Sequence, residues 1–151
     1  MTTNTEALAA LHRHLQSIFD ADLETYHATT TADLTLYEWY IVPHRIDGVP
    51  FHDFMMIESA RPDVAGGQLD PTGAPGAEKP RTRYDLANLK LQQYGETVIA
   101  SYTMMLSQSA ASGVRVRSYN ESRVLIKLAE GWKVAHVHKS PDWRAPFQPP
   151  S

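Results

Sequence analysis

From residue 82 to residue 140 the sequence is an almost unbroken series of strand patterns, and nothing else in it restricts the fold as much. Residues 82–92, 97–108, 114–127 and 132–140 each carry the alternation and the β-branched and aromatic residues of a strand. The breaks between them are a few residues long, with Glu130-Gly131 a tight turn at the last. Strands joined that closely pair antiparallel, so this half of the chain is predicted as a meander. One face of such a sheet must be covered. The cover is legible at the other end of the chain, where Leu8, Leu11, Leu15, Ile18, Phe19, Leu23 and Tyr26 recur every three or four residues. This spacing predicts one long amphipathic helix from Thr3 to about His27, roughly 35 Å in length. Thr3 and Glu6 have the spacing of a capping box, and the stiff run Thr29-Thr30-Thr31 ends the helix.

Between helix and meander, residues 33–40 alternate as a strand, and Asp47-Gly48 reads as a two-residue hairpin turn. Pro50 opens a short helix with Phe51, Phe54, Met55 and Glu58 at helical spacing. Residues 60–80 contain four prolines and four glycines and form a long loop. A single domain is expected over residues 1–140. The Pro-rich tail, 141–151, carries Trp143 and Phe147 as aromatic anchors laid over a surface. The class is α+β: helices packed in a curved antiparallel sheet that leaves a pocket at its open end.

Composition closes several routes. One hundred and fifty-one residues make one domain. No cysteine is present, which excludes disulfides, thiolate nucleophiles and thiolate metal sites. With 14 Lys and Arg against 17 Asp and Glu, no basic excess exists to attract nucleic acid or an anionic membrane, and neither is expected as a partner. No basic, apolar leader and no long apolar run appears, so a cytoplasmic protein is expected. Phosphate-binding glycine loops and a Gly-x-Ser-x-Gly elbow are absent from the sequence.

Strand parity sorts the candidate chemistry. Arg115, Arg117, Tyr119, Glu121, Arg123, Leu125 and Lys127 share one face of their strand. On the last strand, uninterrupted alternation puts Trp132, Val134, His136 and His138 opposite Lys133, Ala135, Val137 and Lys139. His136 and His138 could share a metal only with a third ligand from His44, His52, Glu38 or Glu121. Hydrogen-bonded structural histidines are the favoured reading, and neither metal nor cofactor is expected. Glu121 and Arg123 can pair with each other or hold a ligand carboxylate. His52, Asp53, Tyr84, Asp85, Tyr102 and Tyr119 are acid–base candidates, whereas Met55, Met56, Met104 and Met105 read as apolar lining.

Two stretches carry a family resemblance. The segments 120–124 (Asn-Glu-Ser-Arg-Val) and 130–140 (Glu-Gly-Trp-Lys-Val-Ala-His-Val-His-Lys-Ser) resemble the closing strands of the calcium/calmodulin-dependent protein kinase II association, or hub, domain. Residues 34–38 and the segment 48–54 (Gly-Val-Pro-Phe-His-Asp-Phe) resemble earlier parts of the same family. The resemblance implies the cystatin-like cone of nuclear transport factor 2, shared with ketosteroid isomerases, scytalone dehydratase and polyketide cyclases. It also implies homo-oligomers formed through the sheet. By motif position, Arg123 and Lys139 inherit the hub pocket's carboxylate-binding role, with His52 nearby and Glu121, Tyr119 and Thr103 beside them. Thr103 falls where the family has a third basic residue, and Lys stands for Arg at 139, departures that weaken anion binding. The 151 residues hold no kinase domain, so clustering of kinases is not carried over.

Two functions remain open on this basis. The favoured one is a stand-alone homo-oligomeric domain whose pocket binds a small carboxylate-bearing molecule. The alternative is an isomerase, dehydratase or cyclase using His52 or Asp53 as base with Tyr102 as its partner.

Overall fold

The computed structural model describes residues 2–60, 81–143, 146, 148 and 149. Three helices and six strands follow one another as α1 (Thr2–Phe19), α2 (Leu23–Ala28), β1 (Thr30–Glu38), β2 (Ile46–Asp47), α3 (Pro50–Ala60), β3 (Arg81–Tyr94), β4 (Thr97–Ala110), β5 (Gly113–Leu128) and β6 (Gly131–Ser140). The strands form one sheet in the order β2-β1-β6-β5-β4-β3. β3 to β6 are the expected antiparallel meander, and β1 then lies parallel to β6. The concave face buries Val98, Ala100, Met104, Leu125, Val134 and Val137 with Leu11 and Leu15 of α1, so helix and sheet share one core.

The single long helix expected up to His27 is broken. The chain leaves α1 at Phe19, and Ala21 takes the left-handed conformation, φ 53°, that ends helices. Asp22 then caps α2, its Oδ1 accepting from the Thr25 amide at 3.1 Å and its Oδ2 from the Thr25 hydroxyl at 2.6 Å. Periodicity runs across this break because Leu23 and Tyr26 still pack on the core. Within α1, Glu6 lies 3.5 Å from Lys127 of β5, and the Thr3 side chain of the expected capping box is outside the described residues.

Asp47-Gly48 does not close a hairpin. Ile46 and Asp47 pair with Leu36 and Thr35 as a two-residue strand, and Gly48, at φ 79°, steers the chain into α3 while its amide donates to Leu34 O. The positive φ implied by the dipeptide is present, but it serves a strand-to-helix corner. The loop over 60–80 and Phe147 of the tail lie outside the described residues, apart from Ala60 at the end of α3, and Trp143 keeps 59% of its surface exposed.

One irregularity in β6 decides which side chains face inward. Val124 is opposite His136 and Leu125 opposite Val134, so Ala135 is an extra residue, a β-bulge. Trp132 and Val134 point into the core before the bulge, and Val137 and Lys139 after it. Uninterrupted alternation put His136 and His138 with Trp132 and Val134; the bulge turns both histidines to the outer face instead. No helix among the described residues is long and apolar enough to cross a membrane.

Candidate functional site

The registers of four neighbouring strands place a row of polar side chains across the concave face. Glu38 of β1 is opposite Lys139 of β6, Lys139 opposite Glu121 of β5, and Glu121 opposite Tyr102 of β4. Directly opposed residues on one face have their Cβ atoms about 5 Å apart, so the row is a ladder of alternating charge ending in a phenol. Arg123, two residues further along β5, projects from the same face with Ala100 and Val137 opposite. All five polar residues are buried.

Their contacts form one network. Lys139 Nζ donates to Glu38 Oε1 at 2.5 Å and lies 3.9 Å from Glu121 Oε1. Tyr102 donates its hydroxyl to Glu121 Oε2 at 2.5 Å, and Arg123 Nε donates to Tyr102 Oη at 2.9 Å and to Glu121 Oε2 at 3.3 Å. Arg123 Nη1 reaches across to α1 and donates to His14 Nε2 at 2.8 Å. His14 must then carry its proton on Nδ1, within 3.2 Å of Thr29 Oγ1 and 3.1 Å of Thr30 Oγ1. His52, from α3, faces Glu38 at 4.0 Å, and its ring lies 4.9 Å from that of Tyr26.

Electrostatics follow from burial and pairing. Burial would raise the Glu121 carboxyl, but the charges of Arg123 and Lys139 outweigh it and hold the group below its ordinary range. Glu38 is lowered likewise, with Lys139 as the main opponent of desolvation. Arg123 and Lys139 are held above their ordinary values despite burial, Arg123 mainly by Glu121 and Lys139 by Tyr40 and Glu38. His14 is pushed well down by burial and then by the charge of Arg123, and His52 falls to about 4 by burial and the charge of Lys139. At neutral pH both imidazoles are uncharged. Burial raises the phenols of Tyr26, Tyr102 and Tyr119, which stay protonated.

Three polar atoms of this interior are buried without a hydrogen-bond partner: Tyr26 Oη, His52 Nδ1 and Glu121 Oε1. Buried polar groups are nearly always satisfied, so these three atoms are exceptions that cost the folded chain hydrogen-bonding energy. Towards the rim, Lys139 lies under the ring of Tyr40 at 5.9 Å, and Trp39 meets Tyr119 edge to face at 5.5 Å. Cavities of about 440 and 650 Å³ lie elsewhere, on the flank where α1 meets β3, against Gln16, Phe19, Thr82, Arg83 and Tyr84. Neither is lined by Arg123, so neither is the open cationic hollow expected from the sequence.

Of the residues singled out in the sequence, the fold brings Arg123, Lys139, Glu121, Tyr102 and His52 together, with half-buried Tyr119 at the edge. Asp53 is separate: both its oxygens lie 2.8 Å from His27 Nε2, away from the inner row. Thr103 is one residue from inward Tyr102 and so faces outward, its hydroxyl donating to Asn120 at 2.8 Å. It cannot complete a basic pocket on the inner face. Tyr84 lies on the flank, 2.9 Å from His12 Nδ1, and exposed Asp85 pairs with Arg83 at 3.2 Å. His136 lies 2.8 Å from Thr35 Oγ1, and both His136 and His138 are across the sheet from Glu38, His52 and Glu121. Among the described residues no three His, Asp or Glu side chains gather as metal ligands would.

Sequence reasoning missed His14 and Tyr26 as site residues. The signal was present: His14 occupies a core position of α1 between Leu11 and Leu15, where a buried imidazole needs partners.

The family model described as the calcium/calmodulin dependent protein kinase II association domain matches residues 3–62 and 76–142, most of the chain. The chain belongs to this family. The association domain is also similar in fold to solved structures. The hub of S. rosetta CaMKII superposes with a TM-score of 0.69 at 21% identity, covering 91% of this chain and 95% of that one. The hub homology domain of Chlamydomonas reinhardtii gives 0.72 at 22%, covering 91% and 97%. A nuclear transport factor 2-like superfamily protein of Salmonella enterica gives 0.66 at 18%, covering 95% and 94%. The α+β cone expected from the sequence is therefore the fold of this association domain. No curated protein matches the chain significantly.

Proposed function

We propose that this association domain self-assembles and holds a small carboxylate-bearing molecule inside its cone, at Arg123 and Lys139. The observation that carries the binding reading is the burial of two cations on one face of the sheet, Arg123 at 2% exposure and Lys139 at 7%, in an interior where Tyr26 Oη and His52 Nδ1 lack hydrogen-bond partners. Buried cations are costly unless paired. Glu121 and Glu38 supply pairing within the chain, and Tyr26 Oη and His52 Nδ1 add hydrogen-bonding capacity that nothing in the chain uses.

Self-assembly is supported by the family and by the outer face of the sheet. There Ile99, Val124 and Ile126 form a contiguous apolar group that one chain buries only in part. The test for the ligand is thermal shift with butanoate, in wild type and Arg123→Ala, with size-exclusion light scattering alongside. Protection lost in Arg123→Ala with the assembly intact supports the reading; protection equal in both proteins overturns it.

A second reading has one observation in its favour. The unprotonated His52, with a free buried Nδ1 beside the Tyr26 ring, has the makings of a general base for an isomerase or dehydratase. A base whose conjugate acid has a pKa of about 4 is weak at neutral pH, and Asp53 is engaged with His27, so binding is the stronger reading.

A further inference from the structure

The hairpin of β4 and β5 outruns the rest of the sheet. β5 pairs with β4 from Gly113 onwards, but β6 joins its other side only at Asn120, opposite Ser140. Pro141 follows β6 and has no amide hydrogen with which to continue the ladder, and Asp142 accepts from the Ser118 hydroxyl at 2.6 Å. From residue 113 to residue 117 the second edge of β5 therefore meets no strand among the described residues. An open edge is a row of unpaired amides and carbonyls, ready to template another strand.

The side chains along this edge sort by face. Val114 and Val116 point one way and keep 70% and 54% of their surface exposed, while Arg115 and Arg117 point the other. Neither arginine is neutralised within the chain. Their β4 neighbours are Gln108 and Leu106, and the next acidic group on that face of β5 is Glu121, roughly 13 Å beyond Arg117 and already paired with Arg123. Arg115 is exposed and Arg117 half-buried, and neither forms an ion pair or a side-chain hydrogen bond among the described residues. Two copies meeting edge to edge here would set arginine against arginine, which disfavours a second chain as the occupant. We propose that residues 113–117 receive an extended acidic segment of a partner protein, added as a strand, with carboxylates at alternate positions facing Arg115 and Arg117 and apolar side chains beside Val114 and Val116. Main-chain hydrogen bonds supply the affinity of such an addition, and the alternation supplies its specificity. The surface lies apart from the inner row and needs no ligand there.

The probe is a fluorescein-labelled peptide of alternating valine and glutamate, followed by anisotropy against the intact protein at pH 7.5. A valine–lysine peptide is the charge control. Two further versions carry N-methyl groups, one on every valine amide and the other on every glutamate amide, because in an added strand only alternate residues turn their amides towards β5. The expected result is that the acidic peptide binds at least tenfold more tightly than the basic one, and that one methylated version binds like the parent while the other does not. Arg115→Glu with Arg117→Glu should weaken binding at least tenfold and leave the mass of the assembly by light scattering unchanged. If that double variant does not fold, Arg115→Gln and Arg117→Gln, each expected to weaken binding, take its place. No binding, or equal binding of acidic and basic peptides, overturns the proposal. Binding that tolerates both methylations is charge attraction without strand addition and overturns it too. A change in assembly mass in the arginine variants means that a second copy covers this edge, with the same consequence.

Discussion

Arg123 Nη1 donates to His14 Nε2 at 2.8 Å, so a guanidinium on the fifth strand is hydrogen-bonded to an imidazole on the first helix. The bond requires the neutral imidazole with its proton on Nδ1, and the hydroxyl oxygens of the threonines that follow α2 lie within hydrogen-bond reach to accept from that N–H. Helix, strand and connecting segment are thus tied through one ring that no solvent reaches. His14→Ala would leave a buried cation with a donor unfilled, and a lost hydrogen bond to a charged group costs about 2–3 kcal/mol. Urea denaturation should show that loss, with no change in helix content by circular dichroism.

The Glu121–Arg123 pair predicts strong non-additivity. Replacing Glu121 alone by Leu leaves Arg123 without its counter-ion and should cost about 3–5 kcal/mol. The double change Glu121→Leu with Arg123→Met removes both charges and should be more stable than the single Glu121 variant. A double-mutant cycle in denaturant checks this. Tyr102→Phe, which removes the hydroxyl bridging the two, should cost about 1–3 kcal/mol.

Stability should fall as the solution is acidified below pH 6.5. His52 titrates near 6.5 when unfolded and near 4 when folded, and His14 is lowered in the same direction, so between those values the unfolded chain holds more protons. Stability therefore drops with falling pH across this window, by roughly 3 kcal/mol for His52 if the whole shift is expressed. Glu121 and Glu38, both lowered, carry the decline further once pH passes below the ordinary carboxylate range. Denaturant midpoints from pH 7.5 to 4.5 should trace this fall, and His52→Gln should make it shallower.

At the β5–β6 turn, Gly131 has φ 118°, a backbone region in which a side chain is strained. Nothing lies within 4 Å of where a Cβ would be, so Gly131→Ala tests conformation alone. A loss of about 1–3 kcal/mol in thermal or urea unfolding is expected.

On the outer face, Val124 stands opposite Ile99 and His136 in the middle of the sheet. Val124→Glu would place a charge in the apolar group proposed to meet a second copy. Light scattering should show the assembly dissociating while near-ultraviolet circular dichroism of the chain is retained.

Much of this molecule is local in origin. The α+β class, the antiparallel meander, the start of α3 at Pro50 and the inward side of Glu121, Arg123 and Leu125 are written in alternation, helical spacing and turn residues, which act over a few neighbours. The two-helix amino terminus was hidden because apolar spacing reports which side is buried, not whether the backbone stays helical between the buried residues. Only the assembled sheet decided the site. The bulge at Ala135 reverses the parity of β6, and without it Lys139 would not share a face with Glu121. Pairing β1 parallel to β6 then brings Glu38 to Lys139, 101 residues away, and packing α1 on the sheet brings His14 to Arg123. Register and packing are sums over contacts between distant segments, so no window of sequence contains them.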